Sequence, residues 1–282
     1  VAKPIIEPIS AATLPQFAAF LSANMGNRRR SEDWIAGLQT DWHGDRPNHG
    51  FLLREEQTIV GGIGAFYAQR RIRGQTEKFC NITSWCVLDS HRKWSMPLAM
   101  AVIKQPGYHF TDFSPTQVVG GVLRFLKFKP LDEAVAVIAN ALAVPLGGKI
   151  VATPAGIARG LTGDARQIWQ DHAQFGWLRH VLVGQPGHWC HVIYKRDRFK
   201  GLPSARIVYR SDADLLASYL PRLAWHFLGA GMVTTQIERR FLRDLPRFSR
   251  LRTGFNPKLY LSATLRDEDI DYLYSESVAL DL

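Results

Sequence analysis

With 282 residues the chain can bury one large core or two domains of roughly 100 to 150 residues, and 46% hydrophobic against 21% charged residues, with no long low-complexity tract, excludes a disordered or fibrous protein. Thirty-five Lys and Arg against 25 Asp and Glu give a net charge of +10, which draws in anionic partners: nucleic acid, phosphate-bearing cofactors or anionic membranes. Cys80, Cys86 and Cys190 show no CxxC spacing, which argues against a disulfide framework and a zinc cage, and the opening "VAKPIIEPISAATLPQF" has no basic segment leading into a long apolar block. No uninterrupted apolar run reaches ~18 residues, so a soluble, cytoplasmic protein is expected.

Along the chain, Leu14, Phe17, Ala18 and Leu21 recur at helical spacing. Trp34, Ile35, Leu38 and Trp42 do the same, with Ser31 placed to cap that second helix. The basic run Arg28-Arg29-Arg30 between them reads as a loop. From Gly50, the runs "GFLLREE", "TIVGGIGAFYAQRRIRG" and "FCNITSWCVL", separated by short polar turns, read as a three-strand antiparallel meander. The glycines of "GGIGAF" lie inside a strand with no helix after them, which points to a bulge or a close backbone approach. A helix from about Ser95 to Lys104, a break at Pro106-Gly107, a strand "YHFTDF" and a short helix running into extended chain at Phe128 follow. Strand, helix, strand is a crossover, so its two strands should lie parallel in a mixed sheet.

A helical link over 131–143 and the Gly/Pro-bearing stretch "AVPLGGKIVATPAG" lead to a second series: helix "DARQIWQDHAQF", strands "LRHVLVGQ", "HWCHVIYKRD" and "SARIVYRSD", helix "ADLLASYLPRLAWHFLGAG" and strand "MVTTQIERRF". Helix, three strands, helix, strand repeats the first half and reads as an internal duplication. The expected fold is α/β (α+β), with domains at 1–143 and 144–282. The remainder, from "LRTGFNPKLYL" onward, reads as a strand with an acidic, partly exposed tail.

The stretch "SWCVLDSHRKWSMPLAMAVIK" concentrates chemistry. A strand through Cys86, Val87 and Leu88 turns at Asp89-Ser90-His91-Arg92-Lys93-Trp94-Ser95 into a helix. A helix start offers unpaired backbone N–H groups and the positive end of the helix dipole, a receptor for phosphate. Arg92 would add a bidentate cation and Lys93 a point charge. On the next strand, alternation sends Tyr108 and Asp112 to one face and His109 and Thr111 to the other. Asp112, beside the place where a cofactor would lie, is a candidate base, and it also suits a turn residue bonding the backbone near Ser114. In "HWCH", His188 and Cys190 share one strand face and His191 takes the other, so no metal site is expected. The "RRIR" and "YKRDRFK" runs read as solvated hairpins or anionic-ligand surfaces.

These residues resemble the GNAT superfamily of N-acetyltransferases, whose strand runs into a pyrophosphate loop [Q/R]-x-x-G-x-[G/A] opening a helix. Arg92 takes the first position, Ser95 that of the first glycine and Pro97 that of the second. "VLRFLKFKPLD" is similar to the family's last helix and strand, "Y-x-x-x-G-F", with Phe128 at the aromatic position, Lys127 in place of the glycine and Leu123 where a thiolate-protonating Tyr would stand. The resemblance implies two GNAT-like domains, each a mostly antiparallel mixed sheet flanked by helices. The first would bind acetyl-CoA or another acyl-CoA through Cys86, Val87, Leu88, Arg92, Lys93, Trp94, Ser95, Met96 and Ser114, with Asp112, His109 and Tyr108 as candidates for catalysis and no metal. The second would be a degenerate copy shaping the acceptor side. The implied activity is transfer of a short acyl group to a small-molecule amine, by a monomer or homodimer. The alternatives are a non-catalytic acyl-CoA or anionic-ligand binder on the same fold and, on charge alone, a nucleic-acid-binding protein.

Overall fold

The computed structural model describes residues 3–26, 29–42, 44, 46–142 and 147–281. Arg28 of the expected basic loop and the expected domain boundary after residue 143 lie outside them. The chain forms two compact units: Val1–Leu131 with Asn256–Leu265 and Tyr274–Leu282, and Asp132–Phe255 with Arg266–Leu273.

In chain order the first unit opens with β1 (Ile5–Pro8), α1 (Leu14–Asn24), α2 (Ser31–Leu38), β2 (Gly50–Glu55), β3 (Thr58–Ile72) and β4 (Gln75–Val87). A 3-10 turn over Asp89–Trp94 then leads into α3 (Ser95–Ile103), β5 (His109–Asp112), α4 (Gln117–Phe125) and β6 (Lys129–Pro130). The second unit runs through β7 (Val135–Ala139), β8 (Lys149–Val151), α5 (Pro154–Gly160), α6 (Gly163–His172), β9 (Leu178–Gln185), β10 (His188–Phe199), β11 (Leu202–Arg210), α7 (Ala213–Gly229), β12 (Thr234–Glu238) and β13 (Ser249–Arg252). β14 (Leu259–Leu261) and α8 (Glu276–Ala279) return to the first unit.

Each unit holds one seven-stranded sheet, ordered β1-β2-β3-β4-β5-β14-β6 in the first and β8-β9-β10-β11-β12-β7-β13 in the second. The parallel pairs are β4 with β5 and β11 with β12, the strands on either side of α3 and α7. The sixth place is filled unusually. β7, made before the rest of the second sheet, sits between β12 and β13, while β14, made after it, sits between β5 and β6 in the first.

Side-chain alternation along β3 gives the first sheet its two faces. A Cβ at Gly62 would collide with Phe17 of α1, and one at Gly64 would press on Leu38 of α2 at 3.3 Å. Ile63, Ala65 and Tyr67 point the other way, into a core with Leu98 and Val102 of α3 and Leu123 of α4. The expected close approach in "GGIGAF" is present, and the pairing with β4 does slip between Gly62 and Gly64, but the extra residue of that bulge lies on β4 opposite.

Two expectations are corrected. The link over 131–143 is strand β7 instead of helix: Val135 to Ile138 are all buried, so the run has no amphipathic period to separate strand from helix. The tail is partly exposed over 266–271, as expected, but it is no appendage beyond that point, because Tyr274 to Leu280 are buried and Glu276 is fully so. β1, β8 and α5 add to the elements the sequence predicts. Among the described residues no helix is long and apolar enough to cross a membrane.

Candidate active site

β4 and β5 pair only over Phe79↔His109, Cys80↔Phe110 and Asn81↔Thr111, then part. Beyond that point β4 bulges: Gly62 pairs with Cys86 and Gly64 with Thr83, leaving Ser84 and Trp85 of β4 opposite Ile63 alone. Ser84 adopts φ +52°, the left-handed conformation that makes a bulge turn sharply. Parting strands and bulge together open a cleft of about 190 Å³. Thr83, Ser84 and Trp85 form one wall, Asp112 and Ser114 to Thr116 the other, and Met25, Trp34 and Val119 close the ends. The indole Nε1 atoms of Trp34 and Trp85 are buried without a hydrogen-bond partner among the described residues.

At the base of the cleft the two strands are tied by side chains. Asn81 Nδ2 donates to Thr111 Oγ1 at 3.0 Å and to Thr111 O at 3.3 Å. Its Oδ1 accepts the Glu276 backbone N–H at 2.8 Å. Glu276 Oε1 accepts from the Phe113 N–H at 2.7 Å and the Ser114 hydroxyl at 3.2 Å, while Asp112 accepts from the Ser114 N–H at 3.2 Å. Glu276 therefore bridges β4 and β5 where they separate. Burial, opposed by these donors, raises its carboxyl from 4.5 to about 7. Burial and then the neighbouring Glu276 hold Asp112 well above the usual carboxylate range. Two carboxyls packed this closely cannot both ionise readily, so they titrate as a pair.

The predicted residues divide three ways. Asp112 and Ser114 lie in the cleft. His109 opens β5 and Tyr108 just precedes it, about 10 Å or more back along the chain from Asp112. His109 Nε2 lies 2.9 Å from Glu77 Oε2, and Tyr108 packs edge-on against Tyr67. Neither lines the cleft. Cys86, Val87 and Leu88 continue β4 past the bulge, half-buried. The Leu88 N–H donates to Val60 O on β3, so alternation turns the Val87 N–H toward the edge that β5 has left. Burial pushes the Cys86 thiol up, which suits an inert side chain more than a nucleophile.

The strand-to-helix turn is tighter than a glycine loop. Asp89 to Trp94 form a 3-10 turn, and the Ser95 N–H closes it on Arg92 O. Arg92 reaches Asp89 at 2.7 Å, both largely exposed, and Lys93 is exposed beside it. Trp94, Ser95 and Met96 are half-buried, with Lys3 stacked 5.5 Å from the Trp94 ring. Leu123, at the family's tyrosine position, is fully buried core. Lys127, at the family's glycine, takes φ +70°, the conformation glycine adopts freely.

The equivalent place in the second unit is filled. β11 and β12 pair as far as Arg206↔Gln236. Just beyond, buried Tyr272 donates to Glu238, Arg240 Nε bonds Glu238 at 2.6 Å, and Arg206 lies 5.7 Å over the Tyr272 ring. The start of α7 already carries acids: Asp212 accepts the Leu215 N–H at 2.8 Å and Asp214 pairs with Arg243 at 2.7 Å. In "HWCH", His188 is exposed, the Cys190 thiol donates to Asp212 O at 3.3 Å, and buried His191 stacks on His180.

Glu276 is the residue sequence reasoning missed. Its only local sign is an acid inside the short "SESVAL" segment, indistinguishable from a solvated tail.

No protein-family model matches the chain, and no curated protein matches it. Solved structures do. A GCN5-related N-acetyltransferase from Anabaena variabilis ATCC 29413 is 14% identical with a TM-score of 0.60, over 92% of this chain and 72% of that one. One from Kribbella flavida is 12% identical with a TM-score of 0.60, over 92% and 70%. Saccharomyces cerevisiae N-myristoyltransferase with bound myristoyl-CoA is 11% identical with a TM-score of 0.51, over 92% and 82%. The likeness is one of fold: two GNAT-like units, each a seven-stranded, mostly antiparallel sheet flanked by helices.

Proposed function

We propose that this chain is an acyl-CoA-dependent N-acyltransferase that moves a short acyl group, acetyl foremost, to a small-molecule amine in the cleft of the first unit. The observation that carries the reading is the parting of β4 and β5 beside a buried carboxyl pair, on a fold shared with N-acetyltransferases.

In this reading the acyl-CoA lies along the β4 edge that β5 leaves. The thioester carbonyl is polarised by the Val87 N–H, with Cys86 and Leu88 fixing that strand. The pyrophosphate meets the start of α3, where Arg92 turns from Asp89 and Lys93 adds charge, while Trp94, Ser95 and Met96 shape the turn. Pro97 has no N–H to give, so the side-chain cations carry more of the binding than in a glycine loop. The acceptor enters as an ammonium against Asp112 and Ser114, and Trp34 and Trp85 offer indole N–H groups to an acceptor oxygen. Once it has lost one proton, the amine attacks the carbonyl carbon. The C–N bond forms, the C–S bond breaks, and the second N–H proton passes to the thiolate through water, because Leu123 supplies no acid.

The second unit serves as a structural copy, its matching site closed by Glu238, Arg240 and Tyr272. Titration calorimetry with acetyl-CoA tests the reading, followed by thiol release on adding a panel of primary amines. Micromolar binding weakened by Arg92→Ala is the expected outcome. Absent binding, or ligand found at Asp212–Leu216 in an acetyl-CoA soak, overturns it.

A further inference from the structure

Glu276 is not needed to hold the sheet by charge. Its Oε1 takes two donors, from Phe113 and Ser114, and the backbone N–H bonds Asn81. Its other oxygen, Oε2, is buried without a partner among the described residues. A buried carboxylate oxygen left unpaired is costly when charged and tolerable when it carries a proton. The side chain itself does not line the cleft, but Ser114, an exposed residue, does. The path from cleft to Glu276 is thus one hydroxyl long.

We propose that Glu276 is the proton reservoir of the site, a positioning residue that takes up the proton an ammonium acceptor must lose, relayed through the Ser114 hydroxyl, with Asp112 sharing the charge. This rests on the acyltransferase reading and adds to it the route by which the acceptor becomes a nucleophile. The acceptor's N–H bond breaks toward Ser114 Oγ as the Ser114 O–H proton moves to Glu276. The amine gains its lone pair, the carboxylate becomes a neutral acid, and the proton leaves to water after turnover. Asp112 is the titratable group facing Glu276 from β5. Asn81 on β4, the Phe113 N–H and Ser114 are neutral, and Arg29 reaches the same segment through Leu280 O at 2.5 Å. An acceptor that arrives uncharged has no use for such a reservoir, so the site is built for basic amines.

Glu276→Gln tests it, because the amide oxygen can still accept from Phe113 and Ser114. Infrared pH titration of the full chain, with no acceptor present, should show a buried protonated carboxyl that ionises near neutrality and vanishes in Glu276→Gln. With acetyl-CoA and a turned-over primary amine from the panel, kcat of the wild type should rise with pH through about 7. Glu276→Gln should lose about 100-fold in kcat and that pH limb, with KM for acetyl-CoA unchanged, and Glu276→Asp should recover part of the rate. Ser114→Ala should lower kcat while leaving the infrared band. A wild type without the band, or a Glu276→Gln enzyme with wild-type kcat and pH limb, overturns the proposal. Failure of acetyl-CoA to bind while the band still titrates overturns the acyltransferase reading alone.

Discussion

The two units make the same topological opening and treat it oppositely. Where β4 leaves β5, the first unit keeps a cleft edged by Asp112 and underlain by Glu276. Where β11 leaves β12, the second unit packs the gap with Tyr272, Glu238, Arg206 and Arg240. Both fillings come from one C-terminal segment, Tyr272 in one unit and Glu276 in the other. The difference is charge balance. The second gap pairs Glu238 with Arg240 and sets Arg206 over the Tyr272 ring, and the first holds two acids with no cation partner among the described residues, which is tolerable only if a proton or a substrate cation supplies the balance. A site that stays reactive and a site that is only structure can thus arise from the same parting of strands.

The strongest way to break this comparison is Arg240→Ala. With 3% of the Arg240 side chain and 6% of Glu238 exposed, it strands a buried carboxylate and should cost about 3–5 kcal/mol in urea unfolding. An effect below about 1 kcal/mol would mean the second gap is not held by charge. Next is Glu276→Gln. A carboxyl raised from 4.5 to about 7 contributes stability that is present in full below the unfolded pKa and lost as pH rises through the folded one. Wild-type melting should therefore decline between about pH 4.5 and 7, by up to about 3 kcal/mol. The Gln variant should lose that part of the decline and gain on the wild type at pH 8.

Two smaller changes sharpen the contrast. β11 also carries a bulge, with Val208 the extra residue between Tyr209 and Ile207, and there the backbone does not turn left-handed. A β-branched residue is already at home in the second bulge, whereas Ser84→Val in the first should cost about 1–2 kcal/mol because of its φ of +52°. Thermal melts of the two bulges compared this way show whether the first is strained for its cleft. Last, Arg92→Ala should weaken acetyl-CoA binding about five-fold, a modest loss for an exposed cation. Asp214→Ala at the start of α7 should leave that affinity unchanged.

Much of the frame was legible in the sequence. The β3–β4 hairpin, the turn into α3 and the strand of Asp112 follow from β-branched runs, a polar break and alternation, all of them local signals. The repeat was visible as an order of elements without sequence likeness. What stayed hidden depends on contacts between distant residues. Glu276 meets Asn81 across a separation of 195 residues, which leaves no period to read. Val135 to Ile138 are buried throughout, so their run carries apolarity without a face. His109 shares β5 with Asp112 and Tyr108 directly precedes it, but four residues of strand are enough to put its start and its end in different surroundings.

The exchanged sixth strands set a timetable for the chain as it leaves the ribosome. When residues 1–131 have emerged, β5 and β6 still lack the strand that belongs between them, because β14 is encoded more than a hundred residues later. The second sheet waits for nothing of the kind, since β7 is synthesised before the strands it joins. The unit translated first is completed last, contrary to the usual order of domain folding during synthesis. Glu276 arrives later still, so the carboxyl pair is assembled only when translation has passed the whole of the second unit.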